Sequence, residues 1–295
     1  DSVNLAARLV ELAAAGETLI SDAVRRTLSH FVEANEVREV EIKGLSKPVK
    51  VWRLVALGGG SATTRFVGRR AETRQFAGAL ETYRESGTGQ AILVRGEAGI
   101  GKSRLVEEFA AMSAGDGFAR HTGWALDFGV GRRRDAVRAI SRSLLGIPQG
   151  TAKATRAKAA AVAVTEGLIA DEQAVFLHDL LDIPQEQATR PIYDAMDNDR
   201  RNLGKSECMA TLVKRLSARQ PLLVIVEDLH LADPLTVDHL AAMAAATAEG
   251  PTLLVMTSRV EGDPLDGAWR QAARAALITI DLAPLREDEA LSLAG

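Results

Sequence analysis

GEAGIGKS, residues 96–103, is the stretch on which the reading of this 295-residue chain turns. It follows the apolar run AILV (91–94) and leads into a helical pattern that starts near Lys102. Its spacing is G-x-x-x-x-G-K-[ST], and the strand, glycine loop and helix stand in the order that this spacing needs. Gly96, Gly99 and Gly101 allow the backbone to curl with its N–H groups pointing inward, and the following helix adds the positive end of its dipole. Such a concavity suits a polyphosphate. Lys102 is placed to reach the β- and γ-phosphates, and Ser103 to ligate Mg²⁺.

A phosphate loop needs an acidic residue at the end of a neighbouring strand to hold the metal shell and polarise water. LLVIVEDLH (222–230) supplies Glu227 and Asp228 after five apolar residues. Both are candidate Mg²⁺ ligands, and Asp228 is the candidate catalytic acid. Which of the two holds the metal stays open, because the commoner order puts Asp first. Arg259 ends the next apolar run in MTSR and would reach the same sheet edge, where it either senses the γ-phosphate or is simply an exposed strand terminus. The second GKS, at 204–206, has no strand before it and reads as part of a helix. His230 and the other histidines show no ligand spacing and read as structural or solvated.

Continuous apolar runs at 91–94, 222–226 and 252–256 suit parallel strands covered on both faces. Ala71 to Tyr83 reads as a helix, and Asp233-Pro234 and Asp263-Pro264 read as helix starts with an N-cap and a proline at the first position. The expected fold is therefore α/β, a doubly wound parallel sheet over residues 65–295, with residues 131–219 as a helical insertion.

Upstream of this lies LGGGSATT, a flexible seam, so that 57–64 forms a linker. Before it, Val3 to Ala15 reads as a helix with Gly16 at its C′ position. TLIS reads as a short strand, Ser21 as the cap of a second helix, and VREVEI and PVKVWRLV as two strands joined by KGLSK. Asn4, Arg8 and Glu11 form one polar stripe on the first helix, which alone reads as a solvated face. A start on DSVNLAARLV without Met reads as the closing part of a larger α+β domain.

A net charge of −3 argues against a generalised nucleic-acid footprint. Cys208 is the single cysteine, which excludes an internal disulfide and any multi-cysteine metal site and fits a reducing compartment. No window approaches about 18 consecutive apolar residues, so no membrane segment is expected and the cytoplasm is the expected location.

FVGRRAE, GEAGIGKSRLVEEFA, LLVIVEDLHLADP, LLVMTSR and IDLAPLREDEA, in that order, resemble the landmarks of the AAA-related, STAND-type signal-transduction ATPases of bacterial multidomain regulators. That resemblance implies ATP with Mg²⁺ as cofactor, Val67 and Gly68 near the adenine, and Arg259 as a sensor arginine. Leu231 and the Glu-Asp order depart from the family pattern. In 1–56, DSVNLAARL, GETLIS and EIKGLSKPVKVWRL resemble the closing third of class III adenylate/guanylate cyclase domains. This second resemblance implies that Asn4 orients the ribose, Arg8 stabilises charge on the α-phosphate and Lys43 holds the terminal phosphates. The metal-binding aspartates of such domains lie upstream of the segment matched.

The combined expectation is a fragment of a signalling protein, an ATP switch or slow ATPase fused to a cyclase that converts ATP to cyclic AMP and pyrophosphate. The partners expected are ATP, a second chain through the cyclase part, and proteins at the helical insertion. The alternative is the ATP-binding sensor of a transcriptional regulator, with a degenerate cyclase domain and no cyclase activity.

Overall fold

The structure, a computed structural model, describes residues 2–14, 17–27, 32–40, 48–57, 66–125, 136–148 and 150–294. The chain divides into two compact units, Asp1–Arg65 and Phe66–Gly295.

In the first unit, α1 (Ser2–Leu12) precedes β1 (Leu19–Ser21), α2 (Asp22–Thr27), β2 (Val32–Val40) and β3 (Val49–Leu57). The strands form an antiparallel sheet in the order β1-β3-β2. Ser21 Oγ accepts from the Val24 N–H at 3.3 Å, the bond expected of a residue capping α2. Trp52 on β3 donates its indole N–H to Asp22 at 3.1 Å, and the Arg25 guanidinium lies over its ring at 4.1 Å. These contacts hold α2 to the Trp52 face of β3, and the neighbouring Val51, which points to the other face, is fully buried. Ala15, Gly16, Lys43 and the seam from 58 to 64 fall outside the described residues.

The second unit opens with α3 (Arg70–Ser86), β4 (Ala91–Arg95), α4 (Lys102–Ala114) and β5 (Ala119–Trp124). The helices α5 (Ala136–Leu144), α6 (Lys153–Thr165), α7 (Ala174–Leu180), α8 (Arg190–Asp194) and α9 (Asn198–Ser217) follow. Then come β6 (Leu222–Glu227), α10 (Pro234–Thr247), β7 (Thr252–Ser258), α11 (Gly267–Ala273), β8 (Leu277–Asp281) and α12 (Glu287–Ala294). The sheet has five strands in the order β5-β6-β7-β4-β8, all pairs parallel. This is the α/β architecture of a P-loop NTPase.

Strand alternation sorts the core into two layers. Ile92, Val94, Leu223, Ile225, Leu253 and Val255 face α3 and α4, where Phe76 and Phe109 stack with centroids 4.2 Å apart. Leu93, Val224, Val226, Leu254 and Met256 face the other way, onto Ile140, Met209, Leu212 and Leu240 of α5, α9 and α10. With helices on both faces, the three central strands tolerate no polar alternation, which is why they read as unbroken apolar runs.

Helix starts differ from the sequence reading at one place. Asp233 does cap α10, accepting from the Thr236 N–H at 2.8 Å with Pro234 at the first position. Asp263 does not start a helix. Its carboxylate accepts from the Leu265 N–H and pairs with Arg95 at 3.1 Å, while Asp266 caps α11 through the Trp269 N–H. The strand-end arginine draws Asp263 away from a capping role. The second GKS lies inside α9, where Gly204 is buried. A Cβ there would fall 2.2 Å from Cζ of Phe176, so the glycine serves helix packing.

Candidate functional site

The loop between β4 and α4 sits at the carboxyl end of the sheet, beside the ends of β6 and β7, the place where open α/β sheets bind ligands. Gly99 and Gly101 have φ of 76° and 101°, values that side chains rarely permit. Gly96 has ordinary backbone but no room, since a Cβ would meet Ile100 Cγ2 at 2.9 Å and Leu282 Cβ at 3.1 Å. The loop is thereby drawn into a tight curl ahead of the first turn of α4.

Lys102 is buried, and its Nζ donates to the carbonyls of Gly96 and Glu97, both at 2.9 Å. The ammonium thus clasps the start of the loop it terminates. Burial pushes its pKa below the usual lysine value; the charge of Asp228 opposes this and that of Arg259 adds to it. Ser103, in the first turn of α4, donates its hydroxyl to Glu227 Oε2. Glu227 is the last residue of β6 and is buried. Its pKa lies above the ordinary carboxylate value, chiefly through burial, with the Ser103 bond pulling it down and Asp228 and Glu107 pushing it up. Of the two adjacent acids, Glu227 is therefore the one that meets the Ser103 hydroxyl.

Asp228 leaves the strand in the left-handed conformation, φ 60°, which Asp tolerates better than most residues. Its N–H donates to Thr257 Oγ1 of β7 at 3.0 Å, tying the ends of the two strands together. Arg259 follows the end of β7, is exposed, and acts electrostatically on Lys102. His230 sits in a 3₁₀ turn, Leu229–Leu231, just beyond Asp228, and burial holds its pKa below the usual histidine value. Among the described residues, no group of three or more His, Cys, Asp or Glu side chains is placed to hold a metal by itself. A magnesium ion in such a site takes one or two protein ligands and completes its shell with phosphate and water, and Ser103 with Glu227 fits that pattern.

Val67 and Gly68 are half buried. Gly68 has φ 71°, and a Cβ there would fall 2.7 Å from the Glu289 carboxyl carbon. Arg69 was not apparent from sequence, because two adjacent arginines look like solvated surface. It is buried in the left-handed conformation, φ 57°, and donates to the carbonyls of Ala283 at 2.6 Å and Ile100 at 3.1 Å, and to Glu72 at 3.2 Å. The neighbouring Gly68 was the one available signal. Arg95, ending β4, forks onto Asp281 at 2.7 and 2.8 Å and also reaches Asp263. The structure thus gathers Gly96, Gly99, Gly101, Lys102, Ser103, Glu227, Asp228 and Arg259 at one sheet edge.

In the first unit, Asn4 falls on α1 one turn before Arg8. Arg8 is exposed and donates to Glu11 at 3.0 Å. The Asn4 side chain and all of Lys43 lie outside what the structure describes.

The sequence profile described as AAA ATPase domain matches residues 65–256. The chain belongs to the AAA ATPase domain family. Its nucleotide-binding assignment therefore rests on the family as well as on the loop. A protein of Rhizobium meliloti (strain 1021), named uncharacterized protein R02095, is 29% identical over 299 residues. That similarity covers 97% of this chain, so it runs through both units, but the chain spans only 28% of the relative's length. Among solved structures, the Aeropyrum pernix ORC1 protein in complex with DNA is similar at 16% identity and a TM-score of 0.40, over 78% of this chain and 50% of that one. A DNA replication initiation factor is similar at 13% identity and a TM-score of 0.36, over 74% and 48%. No described helix of this AAA ATPase chain is long and apolar enough to cross a membrane.

Proposed function

We propose that residues 66–294 form an ATP-dependent switch with slow ATPase activity, serving a bacterial cytoplasmic signalling protein. The observation that carries this reading is the bond between Ser103 and Glu227 beside a buried Lys102 that clasps its own loop. In this reading the loop N–H groups and Lys102 bind the phosphates, and Val67 and Gly68 line the adenine side. Ser103 and Glu227 hold the metal shell, with Asp228 beside them, and Arg259 answers to the γ-phosphate. Mg²⁺, held there by Ser103 and Glu227, would supply positive charge to offset that of the phosphates. Glu227, at the strand end, would orient an attacking water. Calorimetry with ATP and Lys102→Ala tests this. The variant is expected to lose binding, and an unchanged affinity would overturn the assignment.

For the first unit, the reading is the closing part of a class III cyclase domain, with self-association through it. Support comes from the quoted resemblance and from Arg8, which stands exposed on α1 one turn after Asn4. Attack of a ribose 3′-hydroxyl on the α-phosphorus builds negative charge there, and Arg8 would stabilise it while Lys43 holds the terminal phosphates. In a protein carrying the metal-binding aspartates such a domain requires, Arg8→Ala is expected to abolish cyclic-nucleotide formation. Parental activity in that variant would refute the role. The helical insertion is then the surface on which protein partners act.

A further inference from the structure

His230 is left over from every role above. It is half buried in the 3₁₀ turn that follows Glu227 and Asp228, and a Cβ placed on Gly262, in the loop after β7, would fall 3.9 Å from its own Cβ. Of its two ring nitrogens, Nδ1 is buried without a hydrogen-bond partner. The charges that act on the ring are those of Asp228, Arg259 and Lys102, on three separate segments that converge at the sheet edge.

A buried, unpartnered donor costs more than an under-used acceptor, so the ring proton belongs on the other nitrogen. That leaves Nε2–H as a donor on the ring's open side. Its place in sequence, two residues beyond Asp228, puts it at the strand ends where the terminal phosphate of a nucleotide held by Lys102 would lie.

We propose that His230 donates from Nε2 to the terminal phosphate of a bound nucleoside triphosphate and so distinguishes triphosphate from diphosphate. This rests on the P-loop assignment made above. A diphosphate leaves Nε2 without its acceptor, so the histidine adds affinity only for the triphosphate. The turn that carries it continues directly into α10, capped by Asp233, so the contact is relayed to a helix packed on α9 and α11. Arg259 reaches the same phosphate from β7, and the two residues hold it from adjacent strands.

The test is calorimetry on the full chain with Mg²⁺, comparing ADP with a non-hydrolysable ATP analogue. His230→Phe keeps the ring shape without the donor. It is expected to weaken the analogue about tenfold or more, the worth of a hydrogen bond to a charged acceptor, and to leave ADP within about twofold. His230→Gln, whose amide N–H₂ reaches the Nε2 position, is expected to restore most of the difference. If His230→Phe does not fold, His230→Asn stands in for it, since its amide stops short of that position. Equal losses for both nucleotides, or no loss for either, would overturn the proposal. Lys102→Ala separates the two levels: if it too binds ATP normally, the P-loop reading itself fails, whereas lost binding there with unaltered His230 variants sinks only the histidine contact.

Discussion

Ser103 on α4 and Glu227 on β6 share a hydrogen bond although 124 residues separate them, and β7 lies in the sheet between β6 and β4, the strand that leads into α4. The pair brings a hydroxyl and a buried carboxylate to one point, as a magnesium shell requires. Glu227→Gln keeps the shape and removes the carboxylate proposed to orient water, so ATP is expected to stay bound while phosphate release falls by roughly 100-fold or more. Ser103→Ala is expected to flatten the dependence of ATP affinity on Mg²⁺ concentration. Both are read by phosphate-release assays and by calorimetry with and without the metal.

The true phosphate loop and its look-alike separate under mutation. Gly101→Ala forces a side chain into φ 101°, which costs about 1–3 kcal/mol, and is expected to remove nucleotide binding as well. Gly204→Ala pushes a methyl into the Phe176 ring and costs about 1–3 kcal/mol by overpacking, while ATP affinity stays at the parental value. Thermal melts and calorimetry on the same samples distinguish the two.

How far these features could be read in advance depended on whether a residue's role was local. The glycine loop, the unbroken strands β4, β6 and β7, and the Asp233 cap were visible because neighbours in sequence make them. Edge strands β5 and β8 were not. ARHTGW mixes polar and small residues, which an edge tolerates because one flank of the strand has no strand partner among the described residues. Arg69 was hidden for the opposite reason, since its partners Ile100 and Ala283 lie 31 and 214 residues away. Asp263 misled because a proline after an aspartate looks the same whether the carboxylate caps a helix or answers Arg95.

Arg69 holds the phosphate loop from behind through Ile100 and fastens the segment after β8 through Ala283. Arg69→Met keeps the aliphatic stem but leaves both carbonyls without their donor. A loss of about 2–4 kcal/mol is expected in urea unfolding, together with weaker ATP binding. Arg69→Lys recovers little, because an ammonium cannot span the two carbonyls as the guanidinium fork does.

Asp179 in α7 accepts from the Tyr193 hydroxyl at 2.7 Å, from Arg138 at 3.1 Å and from Lys205 at 3.2 Å. Burial alone would raise its pKa, but the hydroxyl and the two cations outweigh it and leave the value below 3.8. A depressed carboxylate adds stability above its unfolded pKa and loses it as pH falls through the folded one. Asp179→Asn is therefore expected to cost about 1–2 kcal/mol at pH 7 and progressively less below pH 3.8. Urea unfolding at both ends of that window checks the sign.

The strand that leads into the phosphate loop is paired on both flanks by strands made much later, with Arg95 meeting Asp281 across 186 residues of chain. At about 5–20 residues per second, translation leaves β4 without either neighbour for roughly 8–30 seconds. In that interval α7 can already meet α6 and α9, while α9 still waits for α10. Nucleotide capture is thus the last competence this domain acquires at the ribosome, and the apolar β4 is the segment that a chaperone has most reason to guard.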